Sequence, residues 1–325
     1  MESNKKKQLM IIFKIMISVS LLAGLIIFAD IDKIISSLQG FKLKWLPLIF
    51  LLITLSVVVS TFKWEVLVKA QNVSIRFSTL FGYYIIGLFF NNFLPSSIGG
   101  DGVRIYLTGK KTNNYSSAAS SVVVERILAT VTLAWLGIVS VIFAQKPSQY
   151  AVVLLIILFI AGLFLTCILL TGWVPQFVRN KDGKISNAWI SFADSSGELK
   201  HHPQELMICL FASLVFQIIV SLVIGAIMIG LNQTMIPLPD LFLVTSASSV
   251  LAMVPIGLNG YGMREGAYIY LLQPFGYTPS AALTVSVLFA LFVSMFSLIG
   301  GIYWIRCMSV AKKAMGNMPE GAMIC

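Results

Sequence analysis

Long apolar runs with few charges alternate with short polar segments along the chain. A membrane-spanning helix needs about 20 apolar residues, and six runs meet this requirement: Leu9–Ala29, Trp45–Phe62, Ile127–Ala144 (in a helix that begins near Ser116), Ala151–Gly172, Leu206–Leu231 and Ala281–Ile305. The pattern predicts an all-α polytopic membrane protein with about six spanning helices. The first run is interpreted as a retained helix, because Asp30 follows it where a signal peptide would carry small residues.

Two further apolar runs, Phe77–Leu94 and Leu241–Val254, lead directly into breaks rich in proline and glycine. The breaks read Pro95-Ser-Ser-Ile-Gly-Gly-Asp-Gly-Val-Arg104 and Pro255-Ile-Gly-Leu-Asn-Gly-Tyr-Gly-Met-Arg264, so Pro, two Gly and Arg coincide at an offset of 160 residues. A short helical piece and a full span follow each break. This arrangement predicts two re-entrant broken-helix hairpins in an inverted repeat. Within a single transmembrane domain, 1–325, repeat 1 covers about 45–145, repeat 2 about 205–305, and a polar inner loop about 179–204.

The breaks are candidates for a binding site. Irregular backbone persists in hydrocarbon only where protein or a wet cavity surrounds it, and glycine permits positive φ angles and close approach. The helix after each turn directs free N–H groups toward an anion, and the adjacent Arg104 and Arg264 suit a phosphate. Ordinary extramembrane loops with solvated arginines are the alternative. The predicted loop-forming residues are Pro95, Gly99, Gly100, Gly102, Pro255, Gly257, Gly260 and Gly262.

Composition and charge exclude several classes of function. Hydrophobic residues make up 58% of the chain and charged residues 11%, whereas soluble proteins carry about 25% charged residues. The net charge of +10 indicates loop bias and contact with anionic lipid rather than nucleic-acid binding. Lysine and arginine concentrate on segments that share one side if both hairpins are re-entrant, which predicts cytoplasmic N- and C-termini. No nucleotide, metal or hydrolase motif occurs, so we expect no cofactor, no metal and no catalytic site.

Ionisable residues at membrane depth are costly and are usually paired or functional. We expect Asp101 to cap the helix that carries Arg104, and Glu125 to pair with Arg104 or Arg264. A buried ion-pair network without any ligand is the alternative. The candidate substrate-binding residues are Asp101, Arg104, Glu125, Arg126, Arg264 and Glu265, with Asn91, Asn92 and Tyr261 as further cavity-lining candidates.

Three segments resemble the lysylphosphatidylglycerol synthase transmembrane (flippase-like) family: Asn91–Arg104, Ser121–Arg126 and Val254–Gly266. The resemblance covers roughly residues 9–310. It implies a multi-pass plasma-membrane protein related to the lipid-translocating half of a bifunctional synthase and flippase, here as a stand-alone membrane domain without the lysyl-transferase domain. The family's motif positions fall on Asp101, Arg104, Glu125, Arg126, Arg264 and Glu265.

These observations support one leading hypothesis, one main alternative and a third possibility, a scaffold that recruits another protein through the inner loop at about 179–204. The leading hypothesis is a lipid translocase or lipid-binding transporter that moves a phosphate-bearing lipid between leaflets, with Arg104 and Arg264 holding the phosphate in a shared midplane cavity. The alternative is a membrane-embedded or partner-dependent lipid headgroup transferase. The expected partner is a membrane lipid with a phosphate headgroup, and a separate enzyme partner or a homo-oligomer remains open.

Overall fold

The chain folds into helices throughout the part that the computed structural model describes, residues 39–93, 99–180, 183–253, 260 and 262–314. No β-strand occurs among these residues. Short helical turns at Leu43–Trp45, Gln176–Arg179, Leu199–His201 and Gln273–Phe275 connect longer helices. The longer helices are α1 (Leu46–Ala70), α2 (Phe77–Phe93), α3 (Gly99–Thr112), α4 (Tyr115–Val141), α5 (Gln149–Thr171), α6 (Lys184–Glu198), α7 (Pro203–Gly230), α8 (Leu238–Met253), α9 (Met263–Leu272) and α10 (Pro279–Ala314).

Five of these helices, α1, α4, α5, α7 and α10, are long and apolar enough to cross a membrane. They correspond to five of the six predicted spans, and the first predicted span, Leu9–Ala29, lies outside the described residues. An α-helix satisfies its backbone N–H and C=O groups internally, which is what hydrocarbon requires. The prediction of an all-α, multi-pass membrane protein is therefore confirmed.

Two helical pairs correspond to the predicted hairpins. Within the described residues, the apolar helices α2 and α8 contain 17 and 16 residues, fewer than the roughly 20 that a full crossing requires. The 14-residue α3 packs against α2, and the 10-residue α9 packs against α8. In both parts of the chain, an apolar helix thus pairs with a shorter helix that carries an arginine near its start.

Asparagine ends two corresponding helices in the same way. Asn72 follows α1 with φ 58°, and Asn232 follows α7 with φ 59°. The next N–H of the chain reaches back to a helix carbonyl in each case, from Val73 to Val68 at 3.3 Å and from Gln233 to Met228 at 3.0 Å. This left-handed helix end favours glycine or asparagine. The two ends are 160 residues apart, which is also the offset between the two proline- and glycine-rich breaks.

The chain divides into two compact units, and each of the five long helices contributes residues to both. In the described part of the chain, unit A comprises residues 39–56, 129–162 and 214–293, and unit B comprises 57–128, 163–213 and 294–314. Unit A contains the α8–α9 pair, and unit B contains the α2–α3 pair. Each unit therefore holds one hairpin.

Unit B is packed around aromatic and aliphatic side chains of α1, α2 and α3. Trp64, Leu80 and Ile86 are fully buried in this core. Glycines allow unusually close contact between helices: a Cβ on Gly100 would lie 1.8 Å from the carbonyl oxygen of Gly87 in α2. Any side chain at position 100 would force α3 away from α2.

The structure corrects the interpretation of three glycines in the first break. Gly99, Gly100 and Gly102 lie inside α3 and not in a turn. At the 160-residue offset, the first residue of α9, Met263, corresponds to Val103, so α3 begins four residues earlier than α9 does. Gly260 and Gly262 do adopt positive φ angles, 75° and 88°, as a turn requires. Pro95, Pro255 and Gly257 lie outside the described residues.

In unit A, polar contacts connect the ends of helices. The buried Asp240 of α8 accepts the backbone N–H groups of Gln145 and Lys146, at 3.0 and 3.1 Å, in the α4–α5 connection. Tyr277, just before α10, donates its hydroxyl to the carbonyl of Thr234 at 2.8 Å. Burial raises the pKa of this tyrosine, so its hydroxyl remains protonated as a donor.

The polar segment after α5 forms an amphipathic helix, α6, in unit B. Ala193 and Ser196 are buried, whereas Ile185 and Trp189 are exposed. Ser196 lies 3.2 Å from the hydroxyl of Ser120 at the start of α4, and Gln71 donates to the same hydroxyl at 2.9 Å. These contacts fix the polar face of α6 and leave an aromatic residue facing outward, as in helices that lie at a membrane surface.

Candidate functional site

A buried carboxylate, Glu125 of α4, is the centre of a charged cluster in unit B. Lys63 of α1 lies 2.7 Å from one of its oxygens, and Arg104 of α3 lies 3.1 Å from the other. The side chains of all three are at most 3% exposed. A charge buried this deeply is tolerated only when it is paired and hydrogen-bonded, so three helices are held together by one carboxylate.

Arg104 is held by aromatic rings as well as by carboxylates. Its guanidinium carbon lies 4.2 Å from the ring centre of Trp64 and 4.6 Å from that of Tyr84. Its Nη1 lies 3.2 Å from Asp101 of the same helix. Rings within about 6 Å of a cation stabilise it electrostatically. The Nε of Arg104 is buried and has no hydrogen-bond acceptor among the described residues.

Arg126 forms the exposed edge of the same cluster. It makes a two-point contact with Asp101, from Nε at 2.9 Å and from Nη2 at 2.8 Å. Its side chain is 46% exposed, compared with 1% for Arg104. Asp101 thus bridges an exposed arginine and a buried one. Among the described residues, three cations and two carboxylates form the cluster, and Arg126 is the most exposed of the cations.

The cap of α3 comes from Asn91 and not from Asp101, contrary to the expectation. The N–H of Gly100 donates to Asn91 Oδ1 at 2.8 Å, whereas the Asp101 carboxylate is directed to the two arginines. Asp101 is in the first turn of the helix and not before it, which explains the difference. Asn92 is half-buried in the last turn of α2, and Tyr261 lies outside the described residues.

In unit A, the corresponding residues form a smaller group. Arg264 contacts its neighbour Glu265 at 2.8 Å and Ser286 of α10 at 3.2 Å. Glu265 also accepts the N–H of Gly262 at 2.6 Å, which is the backward bond of a capping box. Among the described residues, this group has one cation and one carboxylate.

The predicted site residues therefore fall into two groups. Asp101, Arg104, Glu125 and Arg126 meet in unit B, and the predicted pairing of Glu125 with Arg104 is confirmed. Arg264 and Glu265 meet in unit A. That the two arginines share one cavity stays a prediction, and so does a substrate-binding role for any of these residues.

Sequence reasoning missed Lys63, Trp64 and Tyr84 as members of the cluster. Lys63 follows the uncharged run Trp45–Phe62, so the apolar pattern alone ends the span before it. The structure continues α1 through Lys63 to Ala70, which buries the lysine. The signal was present: Glu65 and Lys69 have the spacing of a helical ion pair and lie 3.0 Å apart, so the helix extends beyond its apolar run.

The side chains of these clusters offer hydrogen-bond donors for an oxyanion rather than ligands for a metal. No group of three or more His, Cys, Asp or Glu residues suited to a metal ion occurs in the described ranges. Guanidinium groups match the geometry of carboxylate and phosphate oxygens. The guanidinium groups of unit B are therefore chemically suited to an anion.

Comparison with known proteins agrees with this fold. Residues 11–301 match the protein family described as the lysylphosphatidylglycerol synthase TM region. A UPF0104 membrane protein of Methanocaldococcus jannaschii is 26% identical over 298 residues, which is 84% of this chain and 88% of that protein.

Two other archaeal proteins are similar over shorter stretches. A UPF0104 membrane protein of Pyrococcus horikoshii is 30% identical over 168 residues, 51% of this chain and 48% of that protein, so the match spans about half of that relative. A second one of M. jannaschii is 31% identical over 219 residues, 65% of this chain and 90% of that protein. The chain belongs to the lysylphosphatidylglycerol synthase transmembrane-region family of membrane proteins.

Proposed function

We propose that this protein binds the phosphate of a membrane lipid at the unit B cluster and moves such lipids between leaflets. The observation that carries the proposal is the position of Arg126, whose side chain is 46% exposed and which shares the Asp101 carboxylate with the buried Arg104. The buried Lys63 and Arg104 are paired with Glu125, whereas an exposed guanidinium matches the oxygens of a phosphate that approaches from outside the cluster.

The gradient of exposure across the cluster indicates how a phosphate would enter. Arg126 is half-exposed and Arg104 is buried, so a lipid headgroup would meet Arg126 first. Asp101 contacts both arginines and its side chain is 15% exposed, so a phosphate oxygen would compete with this carboxylate for the same donors. The buried Nε of Arg104 would gain the acceptor that it lacks among the described residues.

Unit A supports a different contribution. The Arg264–Glu265 pair contacts Ser286 and Gly262, and the side chain of Arg264 is 15% exposed, compared with 46% for Arg126. We therefore assign phosphate recognition to unit B, and we retain the participation of Arg264 as a prediction. Exchange of the lipid between leaflets would follow from motion of the hairpins, as in transporters built from inverted repeats.

We propose that the chain ends lie on the cytoplasmic side of the plasma membrane, and the distribution of basic residues supports this orientation. Cytoplasmic segments carry an excess of Lys and Arg. The connecting segments of unit A carry three basic residues, Lys42, Lys44 and Lys146. The connecting segments of unit B and the helix ends beside them carry seven, and we therefore assign them to the cytoplasmic side: Lys69, Arg76, Lys110, Lys111, Arg179, Lys184 and Lys200.

Leaflet-resolved transport in liposomes tests this proposal. Liposomes with fluorescent phosphatidylglycerol would be prepared with wild-type protein, with Arg104→Gln and with Arg126→Gln. An impermeant reductant would quench the fluorophore in the outer leaflet, so the rate of further quenching measures exchange from the inner leaflet. Loss of a charge-assisted hydrogen bond of about 1.5–3 kcal/mol predicts at least about a tenfold slower exchange in both variants. Arg76→Gln, at an exposed arginine before α2, is the matched control and should exchange lipid at the wild-type rate.

Two outcomes would reject the proposal. Equal exchange rates for wild type and both cluster variants would remove the arginines from the mechanism. An exchange rate in protein-containing liposomes no greater than in empty ones would remove transport. The same preparations, supplied with phosphatidylglycerol and lysyl-tRNA, test the transferase alternative by the appearance of a lysyl lipid.

A further inference from the structure

Unit A contains a cavity of about 490 Å³ that opens to the surface at one end of α5, α8 and α9. This volume is within the range of small-molecule sites, roughly 300–1,000 Å³. Its walls are the connecting segment before α5, the first turns of α8 and the residues at the end of α9. None of its lining residues belongs to either charged group described above, so it is independent of the phosphate proposal.

The floor of the cavity is apolar, and its rim is aromatic. Leu243, Val244 and Leu271 form the buried floor. Tyr150 and Tyr270 border the opening with side chains that are 80% and 52% exposed. Aromatic rings of this kind present an apolar face and a polar hydroxyl to the same ligand.

The two charged groups of the cavity cancel. Asp240 is buried and its carboxylate accepts backbone N–H groups of the α4–α5 connection. The Lys146 ammonium donates to the carbonyl of Pro274 and lies 5.3 Å from the ring centre of Phe275. With one carboxylate and one ammonium, the lining has no net formal charge, and both groups already have partners within unit A.

The remaining polar groups both donate and accept hydrogen bonds. Gln149 and Gln273 contribute side-chain amides, and Tyr150 and Tyr270 contribute hydroxyls. Amide and hydroxyl groups can satisfy a ligand hydroxyl in either direction, whereas an oxyanion only accepts. This mixture, next to aromatic faces, suits a group with several hydroxyls on a compact carbon ring.

We propose that this cavity binds a neutral polyhydroxylated ring, such as a hexose or an inositol, either free or as the headgroup of a lipid. The carbon face of the ring would lie against Tyr150 and Tyr270, where it is removed from water. Its hydroxyls would hydrogen-bond to Gln149, Gln273 and the Lys146 ammonium.

Saturation-transfer NMR on the protein in phosphatidylcholine nanodiscs tests this proposal. The nanodiscs must be assembled without glycoside detergents, whose headgroups would compete. The soluble probes are methyl hexopyranosides and myo-inositol, and the lipid arm adds phosphatidylinositol to the nanodisc. We expect saturation transfer to the ring protons of at least one soluble probe. Loss of that transfer when phosphatidylinositol is present would show that the lipid headgroup competes for the same cavity. Tyr270→Ala and Gln273→Ala should each weaken binding about fivefold or more, the equivalent of one hydrogen bond.

The matched control is Tyr106→Ala, which removes a similarly exposed tyrosine of α3 and should leave binding unchanged. Displacement by phosphatidylinositol would assign the site to a lipid headgroup, and its absence together with probe binding would assign it to a free polyol. The proposal is overturned if no soluble probe shows transfer, or if Tyr270→Ala and Gln273→Ala bind as the wild type does. Displacement of bound probe by inorganic phosphate, lost in Lys146→Gln, would also overturn it in favour of an anion site.

Discussion

Removal of the Glu125 charge is the sharpest test of the buried cluster. In Glu125→Gln the side chain keeps its size, but Lys63 and Arg104 lose their shared counter-charge. At an effective dielectric constant of about 20, two charges at the 2.7 Å separation of Lys63 and Glu125 attract by roughly 6 kcal/mol. Breaking a buried pair costs about 3–5 kcal/mol in practice. We therefore expect the free energy of unfolding to fall by about 3–5 kcal/mol.

The assay is unfolding by SDS titration in mixed micelles, followed by circular dichroism of the helices. Glu65→Gln is the matched control, because Glu65 is also a largely buried glutamate of an ion pair, with a side chain that is 11% exposed, but its partner Lys69 is 59% exposed and stays solvated when the pair is broken. Ion pairs with a solvated partner contribute about 0–1 kcal/mol, so the control should shift the unfolding free energy by less than about 1 kcal/mol.

A double-mutant cycle separates coupling from simple loss of packing. Lys63→Met combined with Glu125→Gln should be less destabilised than the sum of the single variants, by about 1–3 kcal/mol. Additive effects, or a Glu125→Gln variant as stable as Glu65→Gln, would refute the conclusion that this carboxylate holds the three helices together.

Three further variants probe the hairpins and unit A. Gly100→Ala should lower the thermal midpoint of unfolding, because its Cβ would lie 1.8 Å from the carbonyl oxygen of Gly87; an unchanged midpoint would contradict the close contact of α2 and α3. Gly102→Ala, where no atom lies within 4 Å of the added Cβ, should instead stabilise the protein by about 0.5–1 kcal/mol, and a lower midpoint would count against its helical conformation. Asp240→Asn should cost about 1.5–3 kcal/mol in SDS titration, since the carboxylate accepts two backbone N–H groups in charge-assisted bonds; no loss would mean that these bonds do not support the α4–α5 connection.

The apolar pattern predicted the helices well because hydrocarbon imposes a simple rule. A run of about 20 uncharged residues has few alternatives to a spanning helix, and the five described spans follow it. The pattern did not predict how far α1 continues, since Lys63 and Glu65 end the apolar run but not the helix. Burial of a charged residue depends on a partner from a distant part of the chain, here Glu125, and no local pattern reports that.

The hairpin glycines show a second limit of sequence reasoning. Glycine permits a turn with positive φ and also permits two backbones to touch, and the sequence alone does not distinguish these uses. Gly260 and Gly262 serve the turn, whereas Gly100 serves contact with α2. The aligned breaks therefore contain the same residues in different backbone conformations. The burial of Asp240 was missed for a related reason, because its partners are backbone N–H groups and not side chains.

The contact between Gly87 and Gly100 limits the ways in which the first hairpin can move. With the two backbones touching, α3 has no clearance to slide along α2, because a shift by one turn would force a side chain into the same narrow space. Any rearrangement during a working cycle must then carry α2 and α3 as a single rigid body, with the bending confined to the segments that flank the pair.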